Sequence, residues 1–187
     1  MKFKLLYTGE LKINPKKRSQ HLHDIRMKIH PQLKRLSEIS PYDTIKGKLF
    51  GTRRGIREIG GAKFFPIVTP ELNLLAELDV QILHPELLET PHADIDNRMK
   101  TLLDALKRPQ STHEVAQGTP KNEVIYTLLD DDHLVTKMMI NTSHLLYRPD
   151  ARPVTRKRDR EDFELMAIIT VNLRASKGTM DNLAVIV

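Results

Sequence analysis

Two aliphatic runs, LNLLAELDVQILH at 72–84 and FELMAIITVNLR at 163–174, constrain the fold of this chain most. Each reads as a strand, the first largely buried and ended by Pro85. LVTKMMINTSHLLY (134–147) has the same character and is expected to pair with 163–174. KFKLLYTGEL (2–11) reads as an opening strand, and LAVIV (183–187) as a short closing one. With 5% aromatic residues and no Trp, the core that joins these strands has to be mostly aliphatic.

Between the strands, HLHDIRMKIHPQLKRLSEI (21–39) carries Leu22, Ile25, Ile29, Leu33 and Leu36 at helical spacing. Pro31 is expected to kink or divide that helix. His21 and His23 lack the spacing of metal ligands and are expected on a helix surface. Residues 46–61, with five of the eight glycines and three arginines, read as a flexible loop or irregular hairpin. The polar stretch 108–123 reads as a loop. The sum is an α/β (α+β) chain, expected to form one domain over 1–187, with a mixed sheet, a central helix and no regular βαβ alternation.

Composition removes several functions. With no Cys, disulfides, zinc–thiolate sites and thiol nucleophiles are excluded. No sustained apolar leader and no run of about 18 apolar residues is present, so neither a signal peptide nor a membrane span is expected, and the location is read as cytoplasmic. A net charge of +6 favours a polyanionic partner without proving one.

The chemistry concentrates in HADIDNRMKTLLDALK, residues 92–107. Met99, Leu102, Leu103 and Leu106 take the i, i+3, i+4, i+7 places of one helix face, and Lys100, Asp104 and Lys107 share its flank. Asp94 and Asp96 precede the helix two residues apart, so in extended backbone they point the same way, with Lys100 about 6 Å further along. An ordinary capped helix with i, i+4 surface pairs explains Asp96 and Lys100 but gives Asp94 no task. A second acidic run, Asp130, Asp131 and Asp132, precedes the strand at 134. It reads either as a solvated turn or as the other half of an oxygen-ligand site for a hard cation such as Mg²⁺. His133 is placed to orient one of these aspartates. Acids from two segments with a lysine suit phosphodiester hydrolysis.

DIDNRMKTLLDAL resembles the RusA-like Holliday junction resolvases, whose pattern is Asp-x-Asp-Asn, a lysine three residues later, a helix of the LDAL type and a strand opening with paired aspartates. The resemblance covers roughly a quarter of the chain, with 108–123 as an insertion. It implies that Asp94 and Asp96 are metal-binding and catalytic and that Lys100 is catalytic. Asp132 completes the set, with Asp131 in reserve. It further implies Mg²⁺ or Mn²⁺ as cofactor, four-way DNA junctions as substrate and a homodimer, in recombination or repair.

Candidate phosphate contacts are Lys16, Lys17 and Arg18; Arg53, Arg54 and Arg57; and Arg152, Arg156, Lys157, Arg158 and Arg160. Ordinary solvated loops are the alternative for each cluster. Rivals to the nuclease are a non-catalytic DNA-binding protein of the same fold and an interaction module with structural acids.

Overall fold

The computed structural model describes residues 1–49, 55–84, 95–145 and 165–183. Along these residues run β1 (Lys2–Gly9), α1 (Arg18–Leu36), α2 (Tyr42–Leu49), β2 (Arg57–Ile59), β3 (Ala62–Val68), β4 (Leu74–His84), α3 (Ile95–Leu106), β5 (Val124–Leu129), β6 (Val135–His144) and β7 (Leu165–Ala175). Short 3-10 turns occupy Pro70–Leu72, Thr112–Glu114 and Asp132–Leu134. The strands form two sheets, ordered β1-β7-β4-β6 and β2-β3-β5. Both are mixed, because β4 runs parallel to β6 and β3 parallel to β5 while the other pairs are antiparallel. The fold class is therefore mixed α+β, and no helix among the described residues is long and apolar enough to cross a membrane.

The long aliphatic runs do form the larger sheet, but 134–147 and 163–174 are not partners. Both pair with β4, which lies between them. The reason lies in their side chains. β4 and β7 alternate strictly, burying Leu74, Ala76, Leu78, Val80 and Ile82 from one and Leu165, Ala167, Ile169, Val171 and Leu173 from the other. β6 is exposed or half-exposed along its whole length, which suits a strand with a single neighbour.

The smaller sheet is not foreseen by alternation. AKFFPIV and VIYTLL are short runs buried on both faces, and such runs carry no two-residue signal. The expected loop at 46–61 resolves at its two ends. Its start continues α2 to Leu49, and its finish is the β2–β3 hairpin. Gly60 and Gly61, at φ 58° and 79°, supply the left-handed backbone that a two-residue hairpin turn needs. Residues 50–54, Pro85 and residues 184–187 of the expected last strand lie outside the described residues; Leu183 sits in a helical turn.

Pro31 does not divide α1, which runs unbroken to Leu36. A proline removes one intrahelical hydrogen bond, and here the apolar stripe is buried on both sides of it, through Ile25 and Ile29 before and Leu33 after. The helix also holds the strands through polar side chains. The Gln32 amide takes both backbone groups of Leu6, donating to its carbonyl at 2.7 Å and accepting from its N–H at 2.9 Å. On the other sheet, the Tyr126 N–H donates to His30 Nδ1 at 2.9 Å. Lys12 N–H likewise donates to His21 Nε2 at 3.1 Å. His23 is buried rather than on the surface expected of it.

Two of these imidazoles work as acceptors, and burial lowers the pKa of His21, His23 and His30 below the ordinary 6.5. Neighbouring Lys12, Arg26 and Lys34 push in the same direction. The folded chain thus resists protons that the unfolded chain takes. Stability is full above 6.5 and is lost as pH falls through the lowered folded values. Urea denaturation is expected to show a falling midpoint from about pH 7 to about pH 5. His30→Leu should flatten that slope while costing about 1–3 kcal/mol at neutral pH, because the Tyr126 N–H is stranded. A midpoint independent of pH over that interval contradicts the acceptor role.

Candidate active site

The helix α3 starts at Ile95, one residue inside the DIDN motif. Asp96 is therefore a first-turn helical residue, not an extended one before the helix as expected. The acidic side chain suits the positive end of the helix. Asp94 lies outside the described residues. Ile95 packs against the core, and Met99, Leu102 and Leu106 are buried in it. On the flank of that buried face, Asp96 and Lys100 are exposed and Asp104 is half-buried.

Two contacts orient this helix. Its last carbonyls meet the buried Arg26 of α1, which donates to Asp104 O at 3.1 Å and to Lys107 O at 3.0 Å. Burial lowers the Arg26 pKa to about 10, with Glu114 and Asp104 acting the other way, so it stays cationic at neutral pH. Beyond the helix, Lys107 bridges to Leu129 at the end of β5, and Arg108 N–H donates to Leu129 O at 3.0 Å.

β5 then delivers the acidic run, whose three members part company. Asp130 is buried, its carboxylate bonded to Arg108 and 3.7 Å from Arg57 Nε. Asp131 caps the 3-10 turn, accepting from His133 N–H at 3.2 Å and lying 2.8 Å from His133 Nδ1. Burial pushes the Asp131 carboxyl up, but the His133 hydrogen bonds outweigh it and hold it at about 2. Asp132 faces outward and accepts from Lys107 Nζ at 2.8 Å.

Asp96, Lys100 and Asp132 line one pocket of about 290 Å³. Asp104 completes its polar rim, and its floor is Met99, Leu103, Met138 and Ile140. Met138 and Ile140 pair with Leu78 and Val80, so they stand on the core face of the edge strand β6. The pocket is thus the space between α3's flank and the uncovered inner face of that strand.

Among the described residues, no three His, Asp or Glu side chains form a group able to hold a metal ion by themselves. The donors that do line the pocket are all carboxylate oxygens, which suits a hard cation completed by water and phosphate oxygens. Asp131 is turned to His133 and does not line the pocket.

Lys107 is the residue the motif did not single out. Its ammonium lies 2.8 Å from Asp132 Oδ2 and 3.1 Å from Asp104 Oδ1. Burial works against the charge, and the two carboxylates outweigh that and raise its pKa. Asp104 Oδ2 is held from its other side by Arg18 at 2.5 Å. The signal for Lys107 and Asp104 was their helical spacing from Lys100; the partner across the pocket was not readable.

Of the expected phosphate contacts, Lys16, Lys17 and Arg18 line a second, larger cleft of about 920 Å³ against the Thr112–Glu114 turn. Asp104 is a wall of both cavities. Arg57, expected as a phosphate contact, is half-buried. It pairs with Glu71 and lies near Asp130, because the hairpin turns it inward onto these carboxylates. Arg53, Arg54, Arg152, Arg156, Lys157, Arg158 and Arg160 lie outside the described residues. No family model, curated protein or solved structure matches this chain.

The differing burial of two nearby aspartates separates their roles. Asp130→Ala leaves two guanidinium groups beside an empty, largely buried position and is expected to cost about 3 kcal/mol. Asp132→Ala removes a half-exposed ion pair and should stay within about 1 kcal/mol of wild type. Equal losses in urea denaturation would contradict this division.

Proposed function

We propose that the chain is a divalent-cation-dependent endonuclease acting on branched DNA, of the RusA-like kind that the DIDN motif suggests. The observation that carries this reading is the meeting of Asp96 and Lys100 from α3 with Asp132 from the β5–β6 junction in one pocket. Asp94 and Asp96 with Asp132 would hold a Mg²⁺ or Mn²⁺ ion. When bound, that ion lowers the pKa of a water and offsets charge on the phosphate. Lys100, exposed at the rim, adds a fixed positive charge where the phosphorane-like transition state gathers negative charge. The apolar floor keeps water away from one side of the pocket, which strengthens these electrostatic effects.

The adjoining cleft bears Lys16, Lys17 and Arg18, and these are the groups assigned to the phosphates that flank the cut. Four-way junctions and a homodimer with one site for each nicked strand belong to the same proposal.

A second reading rests on a specific observation. Lys107 already neutralises Asp132 and Asp104. That arrangement is also what a non-catalytic DNA-binding protein of this fold would keep.

Cleavage of a synthetic four-way junction separates the two. The nuclease reading expects Mg²⁺-dependent nicking that Asp96→Asn, Asp132→Asn and Lys100→Ala each lower by about 100-fold or more. Salt-sensitive binding of the junction with no nicking by pure wild type under Mg²⁺ or Mn²⁺ would leave the binding protein standing instead.

A further inference from the structure

Lys107 sits where an incoming cation would have to go. Its Nζ is 2.8 Å from Asp132 Oδ2, the carboxylate assigned to the ion, and 3.1 Å from Asp104 Oδ1 in the last turn of α3. The side chain is mostly enclosed, while that of Asp132 is half-exposed. The backbone at Lys107 is fixed from three directions. Its N–H closes the last turn of α3 on Leu103, its carbonyl accepts from Arg26, and it bridges to Leu129. The ammonium is therefore positioned by the fold itself and is not a wandering surface lysine.

Asp104 and Asp132 both lie against the Lys107 ammonium, and two carboxylates brought this close repel unless a cation lies between them. An ammonium and a divalent ion cannot both occupy the same face of Asp132.

We infer that Lys107 is the resident counter-ion of the pocket, holding Asp132 in place until a divalent cation displaces it, and thereby setting how tightly that cation binds. The inference rests on the proposal that the pocket takes such a cation. The displaced ammonium keeps Asp104 as its partner, because that carboxylate lies three residues before it in the chain and the pair does not depend on Asp132. Arg18 holds the other oxygen of Asp104, so the carboxylate remains fixed during the exchange.

Binding of Mn²⁺ to the full-length protein without DNA, followed by the electron paramagnetic resonance of the free ion, tests this directly. Lys107→Met keeps the alkyl chain and removes the charge, and it is expected to tighten Mn²⁺ binding on the order of tenfold. Lys107→Arg should bind like wild type, and Lys107→Gln provides a second neutral variant should the Met variant not fold. Mn²⁺ binding that is unchanged or weaker in folded neutral variants overturns the resident counter-ion while leaving the cation site intact. No Mn²⁺ binding by wild type or by any variant overturns the cation site itself, and the nuclease proposal with it. Asp132→Asn, which removes the contested carboxylate, should bind Mn²⁺ at least about tenfold more weakly than wild type, and retention of full affinity also counts against the exchange.

Discussion

The buried guanidinium of Arg26 is the contact on which the placement of the site depends. A helix leaves its last carbonyls without partners inside the helix, and α3 has no basic residue in its own last turn. Arg26 supplies the missing donors from α1, together with a positive charge at the negative end of α3. Such a charge tolerates burial only when its donors are satisfied, so the two helices have little freedom to slide past one another. Thr101 adds a second tie, donating to Lys12 O at 3.1 Å.

The residues next to α3 convert that anchor into a site. Lys107 and Arg108 join the end of β5, and Asp130 N–H donates to Val68 O at 2.9 Å, extending the contact of β5 with β3. The acidic run therefore leaves the smaller sheet at a fixed point beside the C-terminal end of α3. Asp130 is drawn inward by Arg57 and Arg108, and Asp131 is turned back by His133. Only the third aspartate has the freedom to face Lys107. Three like charges in sequence thus become one buried anchor, one turn cap and one pocket carboxylate.

Legibility followed from whether a residue's surroundings were local. The apolar face of α3, the flank shared by Lys100, Asp104 and Lys107, and the long strands β4 and β7 repeat with a period that neighbouring residues reveal. β3 and β5 lack such a period because both faces are covered, and the order β7-β4-β6 depends on which strand has two neighbours, a tertiary fact. Pro31 was a local warning that packing on both sides of it overrode. Arg57 was readable as a basic residue in a Gly-rich stretch, yet its role depends on Glu71 and Asp130, which are distant in sequence. Asp132 was singled out only through the pattern that the DIDN motif resembles, while the ammonium bonded to it, 25 residues upstream, had no local signature.

The electrostatics of the pocket explain how a basic chain can keep so many acids together. Its rim carries Asp96, Lys100, Asp104 and Asp132, and two of these carboxylates belong to an alternating series of charges, Arg18–Asp104–Lys107–Asp132. Alternation places Asp104 and Asp132 each beside a cation, which offsets their mutual repulsion at neutral pH. The apolar floor of Met99, Leu103, Met138 and Ile140 limits solvent screening from beneath and makes each contact stronger than it would be on an open surface. Asp104 and Asp132 are therefore held by contacts from within the chain. A ligand that enters must compete with contacts already made, so affinity here is a difference between two well-satisfied states. That difference depends on Lys107 and Arg18 as directly as on the aspartates they hold.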